Sequence, residues 1–149
     1  MADKTVNRMK CVIPAKSVNE AYARMICSAF AAQCDPTVSV MSDIKTVVSE
    51  AVTNSIVHGY DGYEDRSKCP IYISCELKES GTLIIRIKDN GKGIEDVSVA
   101  MQPLYTTDTE GERSGMGFTV METFSDKLRV KSKTGKGTTV TIEKRIADR

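Results

Sequence analysis

Residues 71–88 read IYISCELKESGTLIIRIK, and apolar and polar side chains alternate along two runs within them. Alternation with a period of two is typical of a strand that buries one of its faces. Residues 71–77 and 83–87 form the two runs, and residues 78–81 join them. The pattern predicts a β-hairpin that is covered on one side.

Outside this hairpin, the periodicity predicts three more strands and three amphipathic helices. The predicted strands span residues 9–14, 128–131 and 138–144. One helix runs from residue 18 to the break at Asp35-Pro36, and the others span residues 40–58 and 116–125, with a short helical piece near 94–101. Ser17 and Glu20 have the spacing of a capping box for the first helix.

Grouped strands and helices that are apolar on one face only indicate how the elements pack. A helix of this kind buries its apolar stripe against a sheet and exposes its polar side. We therefore expect an α/β two-layer sandwich, with an antiparallel or mixed sheet that carries the helices on one face.

Length and composition restrict the classes of protein to consider. The 149 residues suit one domain spanning 1–149. Twenty-one basic and 20 acidic side chains leave a net charge of +1, which argues against a nucleic-acid or membrane-surface partner. The apolar runs are shorter than the roughly 20 residues of a membrane span, and the polar start lacks a signal-peptide core. We expect a cytoplasmic protein.

The five cysteines form no Cys-x-x-Cys pair, and the sequence has a single histidine. A structural zinc site needs closely spaced pairs of such ligands. We therefore expect reduced thiols that behave as small hydrophobic side chains.

Glu50 and Asn54 form the first candidate site. Four residues advance a helix by about 40° beyond one turn, so both side chains point the same way at the margin of the apolar face. Asn54 offers a neutral oxygen suited to Mg²⁺, and Glu50 can accept a proton from a hydroxyl or a water. By spacing alone, the alternative interpretation of both as ordinary helix-surface residues is favoured.

The second candidate is Asp89-Asn90-Gly91-Lys92-Gly93, where a strand ends. Glycines let the backbone approach a flat ligand, and the Asp89 carboxylate can accept a hydrogen bond from the exocyclic amine of adenine. Guanine presents a carbonyl there, so the motif favours ATP over GTP. An ordinary Asn-Gly turn is the alternative interpretation.

Two further glycine-rich segments fit a nucleotide. Residues 112–118 lead from a loop into a helix, whose first N–H groups can bind phosphate, and Arg113 adds a charged fork. Residues 135–139 run into the last strand, where threonine hydroxyls can bond Asp89 or a base. A glycine-softened loop and ordinary strand sequence are the alternatives. The P-loop and Rossmann fingerprints are both lacking.

Taken in order, four segments resemble the N, G1, G2 and GTT-type boxes of the GHKL ATPase/kinase superfamily. They are Glu50–Asn54, Asp89–Gly93, Ser114–Gly117 and Gly137–Thr139. Over almost its whole length the chain is similar to the small anti-sigma factor serine kinases of that superfamily, and most similar to those that act on sigma F. The resemblance implies the Bergerat fold, an α/β sandwich.

The same resemblance implies roles for individual residues. Glu50 would be the general base and Arg113 would contact the γ-phosphate of ATP. Asn54 would bind the Mg²⁺ that accompanies ATP, and Asp89 would read adenine. The other residues implied to contact the nucleotide are Gly91, Gly93, Thr106, Thr107, Ser114, Gly115, Met116, Gly117, Thr138 and Thr139.

Partners follow from the resemblance as well. A homodimer would bind and inhibit a sporulation sigma factor of the sigma F type, and would phosphorylate a serine of an anti-anti-sigma factor. Glu20 and Arg24 match the partner-binding surface, although Arg24 also fits a solvated helix charge. Relatives often carry Lys-Pro where this chain has Asp108-Thr109, which leaves less positive charge near the triphosphate.

Other functions remain open. A general-stress anti-sigma kinase would show the same boxes. A partner-binding switch could use ATP only to set its shape, and an ATP-hydrolysing clamp would use Glu50 to activate water but also needs a transducer domain. His58 invites a histidine-kinase interpretation, but the chain lacks a separate dimerisation helix, so His58 is interpreted as a helix-end residue.

Overall fold

The structure, a computed structural model, describes residues 2–102 and 117–147. Its strands are β1 (Thr5–Pro14), β2 (Pro70–Lys78), β3 (Thr82–Asp89), β4 (Lys127–Lys133) and β5 (Gly137–Arg145). Its α-helices are α1 (Val18–Ala31), α2 (Val38–Asn54), α3 (Val97–Ala100) and α4 (Gly117–Phe124). Short 3₁₀ turns cover Ala32–Cys34 and Arg66–Lys68, and one π-helical turn covers Ser55–Gly59.

The five strands form one antiparallel sheet in the order β1-β2-β3-β5-β4. The predicted hairpin is present as β2 and β3, with Ile71 opposite Asp89 and Leu77 opposite Leu83. The predicted two-layer sandwich is confirmed, and the choice between antiparallel and mixed pairing resolves to antiparallel throughout the described residues.

The helices cover one face of the sheet, as the amphipathic patterns predicted. Alternate residues of β2, β3 and β5 are buried, because side chains along a strand point to opposite faces in turn. The opposite face carries exposed side chains such as Tyr72, Arg86 and Lys88. The largest fully buried side chains of the sheet and of α2 are Ile71, Ile73, Leu83, Ile85, Ile87, Ile142, Ile44, Val47, Val48 and Val52.

The predicted capping box of α1 is wrong. Ser17 has helical backbone angles and its side chain makes no capping hydrogen bond. The Glu20 carboxylate instead accepts a short hydrogen bond from the Ser49 hydroxyl of α2 and pairs with Arg24 at 3.8 Å. Arg24 lies one turn further along α1, whereas Ser49 is supplied by the packing of α1 on α2, which spacing within α1 could not reveal. The predicted break is correct, since Asp35 leaves the helix with a left-handed φ of 49°.

All five cysteines are free thiols. The Sγ atoms of Cys27 and Cys75 lie 3.7 Å apart between α1 and β2, both buried. The neighbouring Cys75 thiol and burial raise the pKa of Cys27 far above its ordinary value, so Cys27 stays protonated. Within residues 2–102 and 117–147, no helix has both the length and the apolar character needed to cross a membrane.

Ile85→Ala is expected to destabilise the protein by about 2–5 kcal/mol, because it opens a cavity in the central strand. Ile85 is fully buried, between Cys75 on β2 and Ile142 on β5. Urea unfolding measures the change. Ile84→Ala is the matched control, because Ile84 lies on the opposite, partly exposed face of the same strand. Equal losses for the two variants would contradict the assignment of the core face.

Candidate functional site

The first part of the site lies where α2 meets the start of α4. Glu50 and Asn54 are half-buried, one helical turn apart on α2. A Cβ placed on Gly117 would lie 3.2 and 3.3 Å from the two polar atoms of the Asn54 amide and 3.4 Å from Glu50 Oε2. Because residue 117 is glycine, the backbone that opens α4 packs directly against this carboxylate and this amide.

The second part of the site is centred on Asp89, the last residue of β3. Its carboxylate is almost fully buried, with 3% of the residue exposed. Oδ2 accepts a hydrogen bond from the Ser55 hydroxyl at 2.7 Å, and Oδ1 accepts one from the Gly91 N–H at 2.9 Å. A fixed, desolvated acceptor of this kind can distinguish a donor from an acceptor on a ligand.

A π-helical turn joins the two parts. At the end of α2 the chain forms one wider turn over Ser55–Gly59, in which the Tyr60 N–H donates to the Ser55 carbonyl at 3.0 Å. Such turns are frequent at functional sites. Here consecutive residues have different tasks, because Asn54 contacts Gly117 while Ser55 holds Asp89. One continuous segment, Asn54 and Ser55, therefore sets the distance between the two parts of the site.

Glycines keep the surroundings of Asp89 open. A Cβ on Gly59 would lie 2.9 Å from Asp89 Oδ2, and a Cβ on Gly91 would lie 2.1 Å from the Gly59 carbonyl oxygen. Real Cβ atoms do not approach other atoms so closely, so a side chain at position 91 would clash with the Gly59 backbone, and one at position 59 would displace the Asp89 carboxylate. The backbone of residues 59 and 91 can therefore lie beside the carboxylate without side chains intervening.

Burial raises the pKa of the Asp89 carboxyl above its ordinary value. Hydrogen bonds from Ser55, from the Gly91 N–H and from the Thr138 backbone oppose this rise, because they favour the ionised form. Three donors within the protein therefore bond to the carboxylate. This arrangement compensates part of the cost of desolvating a charge.

The loop that follows Asp89 is anchored along its length. The Lys92 N–H donates to the Gly59 carbonyl at 2.8 Å, and the Lys92 carbonyl accepts from the Gly135 N–H at 2.7 Å. The Ile94 N–H donates to the Ser132 hydroxyl at 2.7 Å. Gly93 has a φ of +76° and a Cβ there would lie 2.2 Å from the Lys133 carbonyl oxygen, so Gly93 packs against the β4–β5 turn.

Thr138 and Thr139, the first two threonines of β5, take different positions. Thr138 lies opposite Asp89, but its hydroxyl contacts the Ser132 hydroxyl at 2.8 Å and bonds to Asp89 only through its backbone. Thr139 lies opposite Lys88 and Lys131. Adjacent residues of a strand point to opposite faces of the sheet. The Thr139 hydroxyl therefore does not reach Asp89, although the sequence pattern allowed for that contact.

Several predicted site residues lie outside the described part of the chain, and their roles stay predictions. They are Thr106, Thr107, Arg113, Ser114, Gly115 and Met116. The departure at Asp108-Thr109 lies in the same segment. In residues 2–102 and 117–147, no group of three or more His, Cys, Asp or Glu side chains could hold a metal ion.

Glu20 and Arg24 lie together on the side of α1 that meets α2. The Arg24 side chain is 40% exposed and the Glu20 side chain 23%. Glu20 is tied to Ser49, the residue before Glu50 on α2. The predicted partner-binding residues therefore form one ion-paired surface feature with a direct contact to the helix that carries Glu50.

Sequence reasoning missed Ser55, Gly59 and Tyr60 as parts of the site. In the sequence, Ser55 is simply part of the helix predicted for residues 40–58, and Gly59 is the residue that follows that helix. A serine near the end of a helix, followed by glycine and tyrosine, also fits an ordinary helix end, so the sequence contains no signal specific to the site. The contact with Asp89 joins residues 34 positions apart and needs the tertiary structure to be seen.

Gly91→Ala is expected to weaken binding of a nucleotide at least tenfold and to lower thermal stability, because the added Cβ meets the Gly59 backbone. Isothermal titration and thermal unfolding measure the two effects. Gly62→Ala is the matched control. Gly62 has a φ of +84°, and a Cβ built there would have no atom within 4 Å. The Gly62→Ala substitution therefore introduces backbone strain without a clash. Equal effects of the two substitutions would contradict the close approach at Gly91.

Comparison with known proteins gives consistent results. A family model described as "Histidine kinase-like ATPase domain" matches residues 13–144. An anti-sigma F factor of Clostridium botulinum (strain Eklund 17B / Type B) is 54% identical over 140 residues, which cover 94% of this chain and 95% of that protein. An anti-sigma F factor of Thermoanaerobacter sp. (strain X514) is 51% identical over 140 residues, 94% of each chain.

Solved structures share the fold. The structure of the RsbU and RsbW domains of Rv1364c from Mycobacterium tuberculosis matches with a TM-score of 0.69 and 20% identity. The match covers 96% of this chain and 34% of that one. The histidine kinase domain of the Erythrobacter litoralis EL346 blue-light activated kinase matches with a TM-score of 0.55 and 19% identity, over 98% of this chain and 66% of that one. At these identities the likeness concerns the fold alone.

Proposed function

The chain belongs to the histidine kinase-like ATPase domain family, as its GHKL-type motifs predicted, and we propose that it is an anti-sigma factor with ATP-dependent serine kinase activity. In this proposal it inhibits a sporulation sigma factor of the sigma F type and phosphorylates the anti-anti-sigma partner of that factor. One observation carries the proposal: consecutive residues Asn54 and Ser55 link a carboxylate–amide pair at the start of α4 to the buried Asp89. The domain would span residues 1–149.

Membership of this family implies nucleotide binding, and the geometry around Asp89 favours adenine. The inner lone pairs of the carboxylate are used by Ser55 and Gly91. A remaining lone pair would accept from the exocyclic amine of adenine. The carbonyl of guanine in that place would face a carboxylate and leave a buried acceptor unpaired, which costs about 1–3 kcal/mol. The preference for ATP follows from this difference.

The phosphate end would lie at Gly117. The space that a Cβ would fill there borders both Asn54 and Glu50, so the start of α4 suits phosphate and its metal. Asn54 would contribute one neutral oxygen to Mg²⁺, which arrives with ATP and neutralises phosphate charge. Arg113 would contact the γ-phosphate.

Glu50 would act on the attacking serine. Its carboxylate accepts the hydroxyl proton while the serine Oγ bonds to the γ-phosphorus and the bond from that phosphorus to the bridging oxygen of ADP breaks. This chain then supplies alignment and charge rather than a covalent intermediate. The products are phosphoserine on the partner and ADP.

Glu20 and Arg24 would contribute to partner binding on α1. Contact between Glu20 and Ser49 connects that surface to α2, the helix of Glu50. We further propose a homodimer, as the resemblance to the small anti-sigma factor kinases implies, and a cytoplasmic location.

Incubation with γ-labelled ATP, Mg²⁺ and purified candidate partners tests the proposal. We expect label on a serine of the anti-anti-sigma protein and inhibition of transcription that depends on sigma F. ATP binding without label would instead indicate a nucleotide-dependent partner-binding switch. Release of free phosphate would indicate an ATPase, and inhibition of a different sigma factor would indicate a general-stress type.

A further inference from the structure

A tyrosine hydroxyl occupies the point at which β2 and β3 separate. Pairing of the two strands ends at Ile71 opposite Asp89, so Pro70 and Asn90 are the next residues along each strand. The Tyr60 hydroxyl donates to the Pro70 carbonyl at 2.5 Å and accepts from the Asn90 N–H at 2.7 Å. The hydroxyl thus stands where a direct bond between the strands would otherwise form.

The direction of both hydrogen bonds is determined by chemistry. A carbonyl can only accept and a backbone N–H can only donate, so the single phenolic proton must point at Pro70. Tyr60 is 1% exposed, and burial raises its pKa to about 12. The group therefore remains a neutral hydroxyl with both capacities in use across the physiological pH range.

The position of this hydroxyl matters because of what lies beside it. Asn90 follows Asp89 directly, and the chain then enters the loop anchored by Gly59, Gly135 and Ser132. Those contacts anchor the loop beyond residue 91, whereas Tyr60 anchors its entrance. Without the inserted hydroxyl, Asn90 could pair directly with Pro70 and draw the end of β3 toward β2.

We propose that Tyr60 is a positioning residue of the nucleotide site, which keeps β2 and β3 apart and so places the Asp89 carboxylate for adenine. This inference rests on the proposed function, since it assumes that Asp89 reads the base. It assigns to Tyr60 an effect on nucleotide affinity and no effect on phosphoryl transfer, because the residue contacts neither Glu50 nor Asn54 in the described hydrogen-bond network.

Tyr60→Phe tests the inference, since it removes the hydroxyl and keeps the ring. We expect the Kd for ATP to rise about tenfold, as small misplacements of a positioned group do, while kcat at saturating ATP changes less than about twofold. Titration calorimetry and partner phosphorylation give the two values. A merely structural role would lower the active fraction and leave the Kd unchanged.

Tyr63→Phe is the matched control. The Tyr63 ring packs edge-on against Tyr60 with centroids 5.1 Å apart, but Tyr63 is 43% exposed. It should bind ATP like the wild type. If Tyr60→Phe also binds ATP like the wild type, the inference is overturned, while ATP binding and kinase activity of the wild type would leave the proposed function standing.

Amide hydrogen exchange of the wild-type protein is a second test of the inference and needs no variant. The Asn90 amide should be protected without nucleotide, since its partner is a buried hydroxyl. Exchange at the rate of an unstructured peptide would overturn the inference, even if Tyr60→Phe failed to fold.

Discussion

Glu50→Ala is expected to lower phosphoryl transfer to the partner serine by about 10²- to 10⁴-fold, the usual contribution of a general base. ATP affinity should stay within a factor of about three, because the substitution removes a group needed in the transition state. Glu50 lies beside Gly117 and one helical turn from Asn54. We expect the alanine variant to keep α2 and the Asn54 amide in place. Single-turnover phosphorylation and titration calorimetry measure the two quantities.

Glu79→Ala provides the control for Glu50→Ala. Glu79 is an exposed carboxylate in the β2–β3 turn, at the far end of the hairpin from Asp89. It should transfer phosphate at the wild-type rate. Transfer by Glu50→Ala at the parental rate would remove Glu50 from the mechanism, and a parallel loss of ATP binding would show that the variant disrupts the site as a whole.

Asp89→Asn is expected to raise the Kd for ATP about 10- to 100-fold, as expected when a buried hydrogen bond to a charged group is lost. The amide oxygen can still accept from Gly91, and the Ser55 hydroxyl can turn to accept from the new NH₂ group, so the fold is preserved. The exocyclic amine of adenine loses its acceptor. Calorimetric titration with ATP and GTP should show that the preference for ATP shrinks.

Asp61→Asn is the control for charge alone. Asp61 is exposed and pairs at 3.5 Å with Lys92 of the loop that follows Asp89, so its substitution removes a nearby negative charge and leaves the Asp89 carboxylate in place. Its Kd should match the wild type. An Asp89→Asn protein that binds ATP with wild-type affinity would exclude Asp89 as the adenine acceptor.

Asp89→Asn is also expected to change how the free energy of unfolding depends on pH. The pKa of Asp89 is raised in the folded state, so the folded protein binds this proton more tightly than the unfolded chain does. Its contribution to stability is present below the ordinary carboxyl pKa and is lost as the pH rises through the raised value. Urea unfolding from roughly pH 4 to 8 should therefore show Asp89→Asn gaining stability relative to the wild type as the pH rises. A difference that is constant with pH would contradict the raised pKa.

The fold was predictable because its signals are local. The alternation in residues 71–88 and the stripe along α2 each specify which side chains face the core, and both predictions hold in the structure. The capping box failed because Ser17 and Glu20 satisfy a spacing rule that several structures satisfy. The Glu20 carboxylate instead contacts Ser49 of α2 and Arg24 of its own helix.

The candidate site was predictable only in part. Glu50, Asn54 and Asp89 could be selected because their residue types suit the chemistry of a nucleotide and its metal. Strand register turns the Thr139 side chain away from Asp89, so the predicted bond to that carboxylate is not formed, and contact of Thr139 with a base stays a prediction. Ser55 and Tyr60 carried no chemical signature that separates them from an ordinary helix end and an ordinary core tyrosine.

The amino-acid sequence by itself determined the antiparallel hairpin, the amphipathic helices and the residue types that are proposed to bind a nucleotide, since periodicity and side-chain chemistry are properties of the chain. The tertiary structure alone decided that Asn54 meets Gly117, that Ser55 turns onto Asp89 and that the Tyr60 hydroxyl separates β2 from β3. Each of these contacts joins residues at least 10 positions apart, because a hydrogen bond or a close backbone approach depends on a few tenths of an ångström that only the packed sheet and helices set.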